Sequence, residues 1–115
     1  MPFLSHNEYF AQQPAEVRSR LEQIQREVEA KVPGPMRTIS YNMPAFKKGQ
    51  TFLYFAVFKK HIGIYPPVTE DLKLIEETRA LRGPKGNLSF LHSIELPLPL
   101  IGRVAAALAS QYCEK

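Results

Sequence analysis

The chain has one cysteine, Cys113, among its 115 residues, which excludes an internal disulfide framework and any multi-cysteine metal site. No apolar run approaches the ~20 residues of a membrane span. The opening residues, Met1-Pro2-Phe3-Leu4-Ser5-His6, lack the basic-then-apolar pattern of a signal peptide. The expectation is a cytoplasmic protein with no membrane partner. Catalytic signatures are missing as well. There is no P-loop spacing, no Ser-His-Asp or Cys-His-Asn setting and no nucleophile–base pair that can be named. No enzyme and no cofactor are expected. The isoelectric point is about 9.3, but a helix-turn-helix, a zinc finger and an RNP-like motif are all absent, so nucleic acid is not expected as a partner.

Acid is absent from one long stretch. No carboxylate occurs between Glu29 and Glu70, while Arg37, Lys47, Lys48, Lys59 and Lys60 fall inside that interval. Such a stretch cannot supply carboxylate ligands of the Asp/Glu type to a hard cation. It can attract an anion or an acidic protein surface. The plainer reading makes these lysines solubilising residues that flank turns of an apolar sheet.

What remains has the composition of one soluble domain: 44% hydrophobic, 23% charged, net charge +4. A chain of this length buries enough surface to fold without staples, and residues 1–115 read as a single domain. Ser5-His6-Asn7-Glu8 reads as a capping box that opens a short helix ending near Gln12 or Gln13. Pro14 then starts a second helix, in which Val17, Leu21, Ile24 and Val28 form one apolar face. Glu16–Arg20 and Glu22–Arg26 are i,i+4 pairs on its polar face. Pro33-Gly34-Pro35 stops it.

Short strands are predicted at 38–41 and 45–47, with a turn at Lys48-Gly49-Gln50. Residues 51–58 form the strongest strand. Leu53, Phe55 and Val57 share one side, and Phe52, Tyr54, Ala56 and Phe58 the other. Both sides are apolar, so it should be central and covered twice. Residues 61–65 are its hairpin partner. Thr69 is expected to cap a helix with Leu72, Ile75, Glu76 and Arg79 near one stripe. A last strand at 88–91 precedes a helix opened by Pro97 and Pro99, with Leu100, Ile101, Val104, Ala105, Leu108 and Tyr112 facing inward. The order points to an α+β domain: an antiparallel sheet with the N-terminal and C-terminal helices packed on it.

The central residues resemble a known family. Tyr41-x-Met43-Pro44-x-Phe46, Tyr54-Phe55-Ala56-x-Phe58-Lys59-x-His61-Ile62-Gly63-x-Tyr65-Pro66, Lys85-Gly86-x-Leu88-x-Phe90 and Pro97-Leu98-Pro99 are similar in order and spacing to the YdhG-like domain family of unknown function, over about residues 8–108. The resemblance implies a compact α+β fold that some compare with frataxin, and some bacterial relatives carry the label of a frataxin-like intracellular iron chaperone. Two positions depart from the family pattern. Leu108 stands where many members have an arginine, and Leu81 and Arg82 stand where a tyrosine usually precedes the Lys-Gly motif.

The leading functional expectation is a non-enzymatic protein that binds a small anionic ligand or serves as an accessory protein. Its candidate site is Tyr41, Phe46, Tyr54, His61, Tyr65, Lys85 and Gly86, where polar-tipped rings, a histidine and a lysine gather near strand ends. The first alternative is the iron chaperone, with Glu70, Asp71, Glu76 and Glu77 as its acidic patch. The second is an interaction module whose basic hairpins dock an acidic protein. A monomer or a homodimer fits either. Met43 reads as packing, and His6 and His92 read as isolated surface residues.

Overall fold

A computed structural model describes residues 2–83 and 86–113. Helix α1 (His6–Ala11) opens where the sequence places it, with the Ser5 hydroxyl accepting from the Glu8 N–H at 3.1 Å. Glu8 reaches back one residue further than a capping box requires and accepts from the Leu4 N–H at 3.0 Å. Pro14 starts α2 (Ala15–Lys31), and Leu21, Ile24 and Val28 on its apolar face are fully buried.

Five strands follow as an antiparallel meander in the order β1-β2-β3-β4-β5. They are β1 (Met36–Ser40), β2 (Met43–Lys48), β3 (Gln50–Val57), β4 (His61–Tyr65) and β5 (Leu88–Leu91). Tyr41 and Asn42, both at positive φ, make the two-residue turn between β1 and β2. Pairing of β2 with β3 begins at Ala45↔Tyr54, directly after Pro44, which has no N–H to give. The Val57 N–H points past the end of β2 and donates to the Tyr9 hydroxyl of α1 at 2.9 Å. Tyr65–Pro66 is a cis peptide.

The register assigns the two faces of the sheet. Phe46, Leu53, Phe55, Ile62, Ile64, Leu88 and Phe90 point to the helices and are buried. An irregularity opposite Phe46 and Lys47 inserts Phe52 as an extra residue, so Phe52 and Leu53 both reach the core. This departs from strict alternation, which put Phe52 on the opposite face. β3 is central as expected, but no second layer covers it. Helix α4 (Leu98–Cys113) packs on α2 and β3. Gly102 lets α2 and α4 approach closely, since a Cβ there would collide with Glu27 and Lys31. Arg37 of β1 grips Glu29 of α2 through two hydrogen bonds of 2.6 and 2.9 Å, and this holds the Glu29 carboxyl below its usual range.

Helix α3 (Leu72–Glu77) differs from the expectation in phase. Asp71, not Thr69, caps it, accepting from the Leu74 N–H at 3.0 Å. The buried positions become Leu74 and Thr78, and Leu72 is 77% exposed. The Thr69 N–H donates instead to Gln111 of α4 at 2.9 Å. A 3-10 turn (Arg79–Leu81) leads back to β5, and Arg82 bridges Leu88.

Arg20 also leaves its expected role. Its guanidinium donates to the carbonyls of Ile94 at 2.7 Å and Leu91 at 2.8 Å, so it anchors the loop after β5. Among the described residues no helix is long and apolar enough to cross a membrane.

Candidate functional site

The uncovered face of the sheet carries a row of rings. Because paired residues share a face, Tyr54 of β3 and its direct partner Tyr65 of β4 lie side by side on it. Tyr41, in the β1–β2 turn, sets its ring 5.8 Å from that of Tyr54. Phe58, beside the β3–β4 turn at the same end of the sheet as the β1–β2 turn, lies 6.5 Å from Tyr65 and stacks on His61 at 4.9 Å with 19° between the planes. The sequence therefore chose four residues that the fold does bring together: Tyr41, Tyr54, His61 and Tyr65.

Small residues lie beneath the rings. Ala45, Ala56 and Gly63 occupy this face at successive strands, and each is buried. At Gly63 a Cβ would come within 3.0 Å of the Tyr65 ring and hydroxyl and 3.2 Å of Phe58. The glycine thus lets both aromatic side chains lie down on the sheet. This is how the second face of β3 is covered: its own neighbours' rings replace a second layer of helices.

The face is also free of acid. None of the five strands contains a carboxylate. Lys47 shares the face with Ala45 and Tyr54, and Lys59 and Lys60 form the turn beside Phe58 and His61. His92 holds that turn in place, its ring Nε2 donating to the Phe58 carbonyl at 2.8 Å. Four of the exposed large apolar side chains, Met36, Tyr41, Phe58 and Leu91, sit on this face or its turns.

Two candidates fall elsewhere. Phe46 is fully buried on the helix side, stacked on Phe55 at 6.0 Å, and cannot touch a ligand on the ring face. Its predicted strand, 45–47, was too short to fix which side each residue takes. Gly86 has φ +90°, and a Cβ there would meet Arg82 and Pro67 at 2.8 and 3.0 Å. It is a turn glycine that packs the loop against the segment following Tyr65. Lys85 lies outside the described residues.

Phe58 is the ring that the site prediction omitted. Its alternation with Tyr54 and Ala56 already placed it on the same side, and that was the available signal.

The acidic patch does not assemble a metal site. Asp71 caps α3, Glu76 pairs with Arg79 at 2.7 Å, and Glu77 pairs with Arg103 of α4 at 2.6 Å. Among the described residues no three His, Cys, Asp or Glu side chains are grouped so as to hold a metal ion.

A separate cavity of about 540 Å³ opens at the free edge of β5, between the 3-10 turn and the start of α4. Leu81, Phe90, Ile94 and Leu100 form its apolar wall, with Arg82 and Glu95 at its margin. Its lining comes from one stretch of the chain, residues 80–100, folded through the 3-10 turn, β5 and the start of α4.

The fold is similar to that of the crystal structure of a Bacillus subtilis protein, YdhG, from the DUF1801 family. The TM-score is 0.75 over 95% of this chain and 93% of that one, at 19% identity. At that identity the likeness establishes the fold: a YdhG-like α+β domain. It gives no support to the frataxin-like label. No family model matches the sequence, and no curated protein matches it.

Proposed function

We propose that the helix-free face of the sheet binds a planar anion, and that the protein acts as a ligand-binding accessory protein without a catalytic step of its own. The observation that carries this reading is the pair Tyr54 and Tyr65, laid over Ala56 and Gly63 on a face whose strands contain no carboxylate. Flat rings offer a planar ligand stacking area at low conformational cost. Lys47, Lys59 and Lys60 supply positive potential at the margins without a competing acid, which favours an anion over a cation.

The test is an NMR titration of the labelled protein with adenosine and uridine monophosphates. Saturable shifts at Ala56, His61 and Gly63, with the α2 and α4 signals unmoved, are the expected result. Tyr65→Ala should remove those shifts while leaving the circular dichroism spectrum unchanged. If neither nucleotide moves these signals at millimolar concentration, the reading fails.

A further inference from the structure

We propose that the occupant of this face is single-stranded RNA, with successive bases stacked on its two groups of rings. The proposal rests on the planar-anion reading above and narrows it.

The number of rings comes first. They form two groups, Tyr41 with Tyr54 at 5.8 Å, and Tyr65, Phe58 and His61 linked at 6.5 and 4.9 Å, and the strand pairing of Tyr54 with Tyr65 sets the groups next to each other. One planar molecule covers one or two such rings. A chain of bases uses both groups, because every base brings its own π-face, and aromatic platforms on open sheets take about two or three bases.

Charge is the next constraint. A polymer of bases carries one phosphate per base, so its partner must stay free of acid along its whole track, not at one point. No strand of this sheet bears a carboxylate, Lys47 lies on the face, and Lys59 and Lys60 stand at the Phe58–His61 end. When the sequence was read alone, the lack of a helix-turn-helix, a zinc finger and an RNP-like motif spoke against nucleic acid. The fold changes the weight of that argument, because it puts lysines and rings on one uncovered surface.

Hydroxyl groups select RNA. Thr38, Ser40 and Ser89 point to the same face as the tyrosines. With the phenol groups they give donors and acceptors for a 2′-hydroxyl, the group by which a protein tells RNA from DNA.

Fluorescence anisotropy with labelled hexauridylate tests the proposal, with uridine monophosphate and deoxy-hexathymidylate as competitors. Hexauridylate should bind at least ~10-fold more tightly than the mononucleotide, since each added stack and phosphate contributes. Tyr54→Ala and Tyr65→Ala should each weaken it about 10-fold or more. Lys59→Gln should lower the slope of log affinity against log salt by about 0.7. Gly63→Ala provides a second variant that lifts the Tyr65 and Phe58 rings without deleting either, and it should weaken binding in a protein whose thermal unfolding is still cooperative.

If the mononucleotide binds as tightly as hexauridylate, the RNA assignment is overturned and the planar-anion reading stands. If neither binds, both fall. Equal affinity for the deoxy oligomer also overturns the assignment to RNA.

Discussion

Gln25 of α2 donates through Nε2 to Nδ1 of His6 at 3.0 Å, and this contact fixes the tautomer of a buried imidazole. The other ring nitrogen, Nε2, faces two carbonyls, Ala45 at 2.8 Å and Thr38 at 3.1 Å. Carbonyls only accept, so the proton sits on Nε2 and Nδ1 must accept from Gln25. His6 is 3% exposed, ringed by Phe10, Phe46 and Phe55. The expectation of a surface histidine is thereby corrected. One side chain of α1 ties together α1, α2, β1 and β2.

This arrangement predicts a pH dependence. Burial pushes the His6 pKa below its ordinary value of 6.5, outweighing the hydrogen bonds to Ala45 and Thr38 that raise it. Below pH 6.5 the unfolded chain takes up a proton that the folded chain resists. The stability contributed by His6 is therefore complete above that pH and declines as the pH falls toward the folded-state pKa. Urea unfolding between pH 8 and pH 5 should show this decline in the wild type. His6→Leu should lose about 1–3 kcal/mol at pH 8, because the Ala45 carbonyl loses its donor, and should lack most of the slope. A wild type that gains stability on acidification through this range would contradict the assignment. Glu29, also held below its usual value, titrates in a separate and more acidic window.

Arg20 gives a second prediction. Its two terminal nitrogens hold the Ile94 and Leu91 carbonyls, and burial lowers its pKa. Arg20→Met keeps the aliphatic stem against the helix and removes the donors. The loss should be about 1–3 kcal/mol, with hydrogen exchange faster in residues 91–96 and unchanged in β3. Uniform acceleration across the sheet would mean that the arginine supports the whole fold rather than this loop.

The carboxylates near α3 yield a third. Asp71, Glu76 and Glu77 are engaged as a helix cap and two ion pairs. Ferrous iron added anaerobically to the metal-free protein should give no saturable heat at micromolar concentration. Asp71→Asn should keep most of the cap, and Asp71→Ala should cost about 0.5–2 kcal/mol. Saturable iron binding lost in Glu76→Gln and Glu77→Gln together would reinstate the metal reading.

Sequence periodicity was enough for the class of fold, because strand 51–58 and the helix with Leu21, Ile24 and Val28 have unambiguous apolar faces. It was not enough for features set by partners far along the chain. His6 is buried by carbonyls 32 and 39 residues away. Arg20 is claimed by carbonyls 71 and 74 residues away. Thr69 and Asp71 are both good caps, and choosing between them decides whether Leu72 or Leu74 faces the core. The ring row was legible in its parts, since Tyr54, His61 and Tyr65 lie on regular strands. That the face carrying them is left without helices is a tertiary fact, and no local pattern contains it.

Tyr41 offers the sharpest separation of stability from binding. It sits at φ +52° and Asn42 at +59°, as a two-residue turn of this hand requires. Asparagine tolerates that region, whereas a tyrosine there costs about 1–2 kcal/mol. Nothing in the core repays the strain, because Tyr41 is 83% exposed. Its ring does extend the row by resting 5.8 Å from Tyr54. The β1–β2 turn accounts for the backbone conformation, and what a tyrosine adds there is the ring contact with Tyr54. Tyr41→Asn should therefore raise the unfolding free energy by up to about 1 kcal/mol and lower ligand affinity on the ring face in the same protein. Chemical denaturation and a nucleotide titration on one preparation measure both. A variant that is more stable and binds as well as the wild type would show that the row ends at Tyr54. A variant that is less stable would show that the Tyr41 ring belongs to the packing of the hairpin.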